Sequence, residues 1–158
     1  MDDWKKNRIE SALNGTNPTV LAKMKSGFAV FGDTQFLPGY CVLLAYPQVN
    51  SLNDLSLTER SDFLTDMTII GDAILEVYKP LRINYDILGN KDAFLHAHIF
   101  PRYEYEDEIH RAKPVWLYSS DNWTNPEFQF DQDKYQEKRM ALQKKLLELI
   151  ELYKLHGK

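Results

Sequence analysis

The alternation of hydrophobic and polar positions is most informative in residues 93–103. The run reads AFLHAHIFPRY, and its many large apolar side chains, closed by a proline, predict a strand rather than a helix. Because alternate residues of a strand share a face, one face is wholly apolar. The other face carries Phe94, His96, His98 and Phe100. Buried polar side chains need partners, so these histidines are either a functional pair or two hydrogen-bonded core residues.

Two other stretches have the periodicity of long helices. In residues 56–79, a capping-box pattern at Ser56 and Glu59 precedes apolar residues at helical spacing, and a proline follows. A C-terminal helix over about residues 132–155 is predicted to begin at Asp131 or Asp133. It carries one apolar stripe, formed by Leu142, Leu146, Leu149 and Tyr153. Such a stripe is typical of a core or a dimer surface.

Cap residues near the start of the chain predict two short helices. Asp3 can cap a first helix, and Gly15 can end it. The dipeptide Asn17–Pro18 combines an N-cap residue with the proline that is favoured at the first helical position. It predicts a second helix over residues 19–25, which Gly27 stops.

Strand-forming residues mark three more segments, 28–31, 40–46 and 82–88. Gly89 and Asn90 then predict a turn that leads into the histidine strand. Strands joined by hairpins, with helices between and after them, are typical of an α+β fold. We therefore expect an antiparallel sheet that is covered on one face.

The composition is that of a folded globular protein. The chain has 158 residues, 44% of them hydrophobic, and no linker-like segment, so we expect a single domain over residues 1–158. A net charge of −4 argues against a general nucleic-acid binder, which needs a basic surface. Cys41 is the only cysteine, which excludes a disulfide framework and a thiolate metal site. Without a long apolar segment or a basic leader, a cytoplasmic protein with no membrane partner is expected.

Metal sites and phosphate-binding loops are the main alternative chemistries. A His-x-His strand also begins several zinc and iron sites, and Glu104 follows at a distance not far from that in cupin metal barrels. Cupins need many short strands, however, whereas this chain devotes much of its length to two long helices. The acidic residues 104–108 predict a solvated loop, and His110 is expected there rather than on a metal. GxxxxGK[ST], GxGxxG and GxSxG motifs are absent, so neither a phosphate-binding loop nor a hydrolase nucleophile turn is expected. Without a convincing third ligand we predict no metal, and we predict no cofactor.

The segment LHAHIFPR resembles the signature of the histidine-triad (HIT) family, in which three histidines alternate with apolar residues and Pro-Arg often follows. His96 and His98 match the second and third histidines, and Phe94 stands in place of the first. The resemblance extends over residues 27–103, where GFAVFGDTQFLPGYCVLLAYP is similar to the family's first hairpin and INYDILGN to a strand and turn of bacterial members. It implies a HIT-like α+β fold with an antiparallel sheet of about five strands, a long central helix and a C-terminal helix.

The resemblance also implies a function. HIT proteins hydrolyse or transfer nucleotidyl groups at the α-phosphate of dinucleoside polyphosphates or nucleoside phosphoramidates, as homodimers that need no metal. By this mapping His96 attacks the phosphorus and carries a transient nucleotidyl group, while His98 binds the phosphate oxygens. The residue types suit these roles, because neutral imidazole is a nitrogen nucleophile and a neighbouring donor stabilises charge on the oxygens.

Substrate-binding positions follow from the same mapping. The family's ribose-binding Asp or Asn corresponds to Gly32 or, with a turn one residue shorter, to Asp33. A carboxylate can accept from both ribose hydroxyls, which favours Asp33 over an ordinary turn aspartate. The remaining candidates are Asn90 near the leaving group, Phe28 or Phe31 beside the base, and Arg102 near the phosphates. Each of these has an alternative structural role in a turn, the core or the sheet.

Two departures from the family pattern bear on activity. Phe94 replaces the first histidine, and Tyr40 stands where the family has the histidine of a Pro-Gly-His corner. If the two positions are neighbours, a Phe–Tyr contact replaces a polar pair, which keeps the packing but removes polar support from the nucleophile. The retained His96 and His98 favour a hydrolase. The departures favour the alternative, a nucleotide-binding or interaction module with little or no turnover.

Overall fold

The computed structural model describes residues 3–156, so both ends of the predicted domain 1–158 lie outside the described residues. Five strands lie in this part of the chain: β1 Val20–Lys23, β2 Gly27–Phe31, β3 Cys41–Ala45, β4 Arg82–Asp86 and β5 His96–Arg102. The helices of the same part are α1 Asp3–Lys6, α2 Arg8–Asn14, α3 Leu57–Tyr78, α4 Glu108–Arg111, α5 Ser120–Thr124 and α6 Gln136–His156. None of these helices has the length and hydrophobicity that crossing a bilayer requires.

The strands form one antiparallel sheet in the order β1-β2-β3-β5-β4. The predicted strands 28–31, 40–46 and 82–88 are confirmed, with ends that shift by one or two residues. The α+β class, the five-stranded antiparallel sheet, the long central helix and the C-terminal helix are confirmed as well.

Helices α3 and α6 cover one face of the sheet. On that face the strand register places Ala29, Leu43 and Ala97 in one row, and all three are buried. The helices contribute large side chains that are fully buried: Phe63, Ile70, Ile74, Leu142 and Leu146. The apolar face of β5 therefore packs under the helices, which leaves the histidines on the opposite face.

A side-chain cap starts α3, whereas the cap predicted for α6 starts a turn that precedes it. The capping box at residues 56–59 is confirmed at the start of α3. Helix α6 begins at Gln136, later than predicted from Asp131 or Asp133. The Asp131 carboxylate accepts from the backbone N–H groups of Asp133 and Lys134, at 2.9 Å each. It therefore caps a turn that precedes the helix rather than the helix itself.

The predicted helix over residues 19–25 is wrong, because this segment contains strand β1, which pairs with β2. The Asn17 side chain accepts from the Thr19 N–H at 2.9 Å, a bond that can start a helix but also closes an Asx turn. Gly27 lies within β2 rather than after a helix. A Cβ at this position would lie 1.8 Å from the carbonyl oxygen of Leu44, so the close approach of two strands requires glycine. Sheet pairing outweighs the local helix signal.

The predicted first helix is divided in two at Asn7. Its side chain accepts from the Glu10 N–H at 3.0 Å and starts α2 as a separate helix. Asp3, predicted as a cap, is the first residue of α1. Gly15 ends α2 as predicted, with a φ of 80° that favours glycine.

The acidic stretch between β5 and α6 is only partly the solvated loop that its charge predicts. Glu106 is 7% exposed and forms an ion pair with Arg102, which is 3% exposed, at 2.9 Å. A buried guanidinium needs all its donors satisfied, and Arg102 also donates to the carbonyl oxygens of His110 and Lys113. This cluster fastens the segment to the end of β5.

Candidate functional site

A pocket of about 470 Å3 lies on the sheet face opposite α3 and α6. Both histidines of β5 line it, together with Tyr40 and Val42 from the neighbouring strand region. The register pairs Val42 with His98 and Leu44 with His96, so the histidines project from the middle of the sheet. Strand alternation thus brings His96 and His98 together in a pocket, as the sequence predicts.

The hydrogen bond of His96 fixes its tautomer. Its Nδ1 lies 2.8 Å from the carbonyl oxygen of Phe94. A carbonyl oxygen can only accept, so Nδ1 carries the proton and Nε2 carries the lone pair of the neutral ring. The ring is buried and packs against Phe94 at 4.7 Å between centroids. Nε2 is therefore the nitrogen that can attack an electrophile.

His98 is held as a neutral donor. Its Nδ1 lies 2.7 Å from the hydroxyl oxygen of Tyr40, whose pKa burial raises above its usual range. Among residues 3–156 the Tyr40 hydroxyl has no other hydrogen-bond acceptor, so we assign it as the donor to Nδ1, which places the His98 proton on Nε2. Burial, with a further contribution from His96, lowers the pKa of His98 to about 4. The two histidine rings lie 4.8 Å apart between centroids, and both residues line the pocket.

The expected contact between Phe94 and Tyr40 is wrong. Tyr40 stacks on Phe100 at 3.9 Å, whereas Phe94 packs on His96, and no ring contact joins Tyr40 to Phe94 in residues 3–156. The two positions lie beside different histidines. Polar support is therefore retained: Tyr40 supplies a hydroxyl to His98, and position 94 supplies a backbone carbonyl that does not depend on its side chain.

Asp33 lines the pocket immediately after β2. Its carboxylate accepts two hydrogen bonds from Arg8, one of them from Nη1 at 2.9 Å. Gly32, the other candidate for the ribose position, has no side chain to offer. A side chain would not fit there, because a Cβ would lie 2.2 Å from the Tyr40 ring. Of the two candidates, Asp33 is the one that offers a side chain, and Arg8 is its present partner.

Phe28, Asn90 and Arg102 lie outside the pocket lining, whereas Phe31, the alternative to Phe28, lines the pocket although it is only 1% exposed. Phe28 is 4% exposed and belongs to a small apolar cluster on the histidine face of the sheet. Asn90 is exposed in the loop before β5, where Lys91 and Asp92 reach the pocket instead. Arg102 is buried in its ion pair with Glu106, so its donors are engaged within the protein.

Sequence reasoning missed Trp116 and Trp123, which also line the pocket. Both come from the segment between β5 and α6, which has no helical or strand periodicity. The available signal was the presence of two tryptophans, seven residues apart, in this segment. The contacts that bring them over the sheet are tertiary and cannot be seen in the local pattern.

The residues considered as metal ligands do not converge on the histidine pair. His110 hydrogen-bonds to Asp107 at 2.7 Å, and Glu104 is exposed. Within residues 3–156, no three His, Cys, Asp or Glu side chains are grouped so that they could hold a metal ion. The chemistry available in the pocket is that of the two imidazoles and their neighbours.

The chain matches no protein-family model and none of the curated proteins. Solved structures are similar. A histidine triad protein from Bradyrhizobium japonicum is 21% identical with a TM-score of 0.67, over 80% of this chain and 89% of that one. This chain has the fold of histidine triad proteins.

Two other structures extend the comparison to distant organisms. A hypothetical histidine triad nucleotide-binding protein from Sulfolobus tokodaii is 13% identical with a TM-score of 0.67, over 90% of this chain and 93% of that one. Diadenosine triphosphate hydrolase from Plasmodium falciparum is 14% identical with a TM-score of 0.56, over 83% of this chain and 78% of that one. At such low identity the likeness establishes the fold, and the function rests on the residues of the pocket.

Proposed function

We propose that this protein is a nucleotide-binding member of the histidine triad family that cleaves substrates at the α-phosphate. Its substrates would be dinucleoside polyphosphates or nucleoside phosphoramidates. The observation that carries the proposal is the pair of imidazoles: His96 offers an unprotonated Nε2 and His98 a protonated Nε2, 4.8 Å apart between ring centroids in one pocket.

His96 acts as the nucleophile in the proposed first step. Its Nε2 forms a bond to the α-phosphorus, and the bond from phosphorus to the leaving group breaks. The leaving group departs with the electron pair and, if it is an amine, takes up a proton from water. The imidazole becomes positively charged, and the Phe94 carbonyl at 2.8 Å from Nδ1 stabilises that charge.

Water completes the cycle in the second step. It attacks the phosphorus and releases one proton to the solvent, the nitrogen–phosphorus bond breaks, and the nucleoside monophosphate leaves with the hydroxyl group. His96 regains its lone pair on Nε2. In both steps the Nε2–H of His98 donates to a non-bridging phosphate oxygen, where negative charge accumulates. The lowered pKa of His98 suits this role, because the ring stays neutral and does not take up a proton during turnover.

Asp33 is the proposed ribose contact. It lines the pocket, and its carboxylate would accept from the ribose hydroxyls while Arg8 holds it in position. We also infer a homodimer, as the family resemblance predicts. Arg102, Phe28 and Asn90 are left out of the proposed contacts, because they do not line the pocket.

The experiment that tests this function measures mononucleotide release. Purified protein is incubated with adenine and guanine dinucleoside polyphosphates and phosphoramidates, with and without a chelator. We expect release that the chelator does not affect and that His96→Asn reduces by several orders of magnitude. His110→Asn is the matched control, since His110 lies outside the pocket and should leave the rate unchanged.

The outcomes separate the alternatives. Nucleotide binding without release, in the wild type and in His96→Asn alike, would favour the binding or interaction module. Release that persists in His96→Asn would contradict the assignment of the nucleophile. Release that a chelator abolishes, together with one transition metal per chain by elemental analysis, would favour a metal site.

A further inference from the structure

Two stacked indoles form a wall of the same pocket. The ring centroids of Trp116 and Trp123 lie 5.2 Å apart, with planes inclined by 12°. Trp116 also lies 4.8 Å from the His98 ring, nearly perpendicular to it. Although Trp116 is large and apolar, it is 37% exposed. An exposed aromatic surface beside a proposed reaction centre is a feature that a ligand can use.

The position of Trp116 is fixed by polar and aromatic contacts. Its indole N–H donates to the carboxylate of Asp86, which lies directly opposite His98 in the register of β4 and β5. Its ring also meets the Phe100 ring at 5.5 Å and 89°. Behind it, Trp123 packs edge-to-face against Phe36 at 4.8 Å. The two indoles are thus anchored before any ligand arrives.

The segment that carries the indoles is itself anchored to the sheet. The buried pair Arg102–Glu106 ties its beginning to β5, and the Tyr118 hydroxyl donates to Glu106 at 2.6 Å. Tyr118 in turn packs on Phe36 at 5.3 Å. Trp116 lies between these anchors in the sequence. The wall is therefore a preformed surface, and stacking on it costs little ordering of the protein.

The strand order places Asp33 and the contact between Trp116 and Asp86 on opposite sides of the histidines. Along one row of the sheet the register gives Val30, Val42, His98 and Asp86, on β2, β3, β5 and β4. Neighbouring strands are about 4.8 Å apart, so the β2 and β4 ends of this row are separated by roughly 14 Å. Asp33 follows β2, while the Trp116 ring lies against His98 and Phe100 of β5 and its N–H bonds to Asp86 of β4. A substrate with its phosphorus at the histidines can extend one arm to each side.

We propose that Trp116, backed by Trp123, selects substrates whose leaving group carries a flat aromatic ring. This inference rests on the proposed function, because it assigns the arm on the Asp33 side to the nucleoside. The arm on the β4 side is then the leaving group, which stacks on the indole. Substrates with a small aliphatic leaving group lack this contact and bind more weakly.

Two matched phosphoramidates test the inference. Adenosine 5′-phosphoramidates of phenethylamine and of butylamine break the same phosphorus–nitrogen bond and differ in the ring. We expect the wild type to prefer the aromatic substrate by about tenfold in kcat/KM, mainly through KM, because a base–aromatic stack has this strength. Trp116→Leu should remove the preference by weakening the aromatic substrate alone. Tyr105→Leu, an exposed aromatic of the same segment outside the pocket, should retain it.

A binding measurement keeps the test decisive if turnover is slow. In the His96→Asn background, calorimetry should show tighter binding of the phenethylamine compound than of the butylamine compound, and Trp116→Leu should cancel the difference. Equal affinities and equal rates for both compounds in proteins that still act on nucleotides would overturn the inference and leave the proposed function intact. A protein that cleaves neither compound, and binds neither of them nor AMP, would overturn the proposed function and, with it, this inference.

Discussion

The hydrogen bond between Tyr40 and His98 can be removed with little change of shape by Tyr40→Phe. The Tyr40 ring is 7% exposed and is held by its stack on Phe100 at 3.9 Å, so phenylalanine retains the packing. The bond itself, 2.7 Å long, is lost, and Nδ1 of His98 is left without its partner. An unpaired buried polar group costs about 1–3 kcal/mol, and we expect about 1.5 kcal/mol at this half-buried ring.

Three measurements follow from that loss. The melting temperature should fall by about 3–6 °C, since 1 kcal/mol corresponds to about 2–4 °C in a chain of this size. The kcat should fall about tenfold if the same energy is lost in the transition state. Nitrogen-15 spectra of the His98 ring should show the Nε2–H form in the wild type and a mixture of tautomers in Tyr40→Phe.

Tyr153→Phe is the control for this prediction. It removes a hydroxyl that donates to Asp72 at 2.9 Å, away from the pocket, so turnover and the His98 tautomer should be unchanged. A Tyr40→Phe protein that is destabilised, yet keeps the wild-type tautomer and rate, would limit Tyr40 to a packing role. Unchanged stability, tautomer and rate together would refute the reasoning.

Other predictions concern acid stability, the buried ion pair and assembly. Because burial lowers the pKa of His98 from 6.5 to about 4, the unfolded chain binds its proton first as the pH falls. The free energy of unfolding is therefore highest above pH 6.5 and falls towards pH 4, by at most about 3 kcal/mol. In denaturant titrations at several pH values, His98→Asn should reduce this pH dependence. An equal pH dependence in the variant would contradict the assignment. Glu106→Gln breaks the buried ion pair with Arg102 and should lower the free energy of unfolding by about 3 kcal/mol, or the melting temperature by about 6–12 °C. An unchanged melting temperature would show that the pair is not stabilising. Light scattering at micromolar concentration should give the mass of a homodimer, and a monomeric mass would count against the proposed family membership.

Periodic elements could be predicted from the sequence because their signals are local. Alternation along β5 gives both its buried face and its histidine face, and the capping box marks the start of α3. Strand β1 could not be predicted in this way, because an Asx turn at Asn17 has the same sequence as a helix cap. The choice between them depends on pairing with β2, which is a long-range contact.

The same difference between local signals and long-range contacts applies to the residues of the candidate site. His96 and His98 are recognised from two-residue spacing within one strand, and their positions in the pocket follow from it. Arg102 resembles a phosphate ligand in sequence, but its partner Glu106 is in a buried turn whose geometry the charge pattern does not reveal. Trp116 reaches the pocket through contacts with Asp86 and Phe100, which lie far away in sequence or on another element.

The covalent intermediate on His96 is the most direct test of the account. Substrate labelled at the α-phosphate is mixed with excess protein and quenched within milliseconds in alkaline denaturant, since a phosphorus–nitrogen bond is labile in acid. Mass spectrometry of the digested protein then locates the label. We predict a nucleotidyl group on His96 that forms and decays during turnover and is missing in His96→Asn. Full hydrolysis with no labelled protein at any time, or label on a residue other than His96, would contradict it.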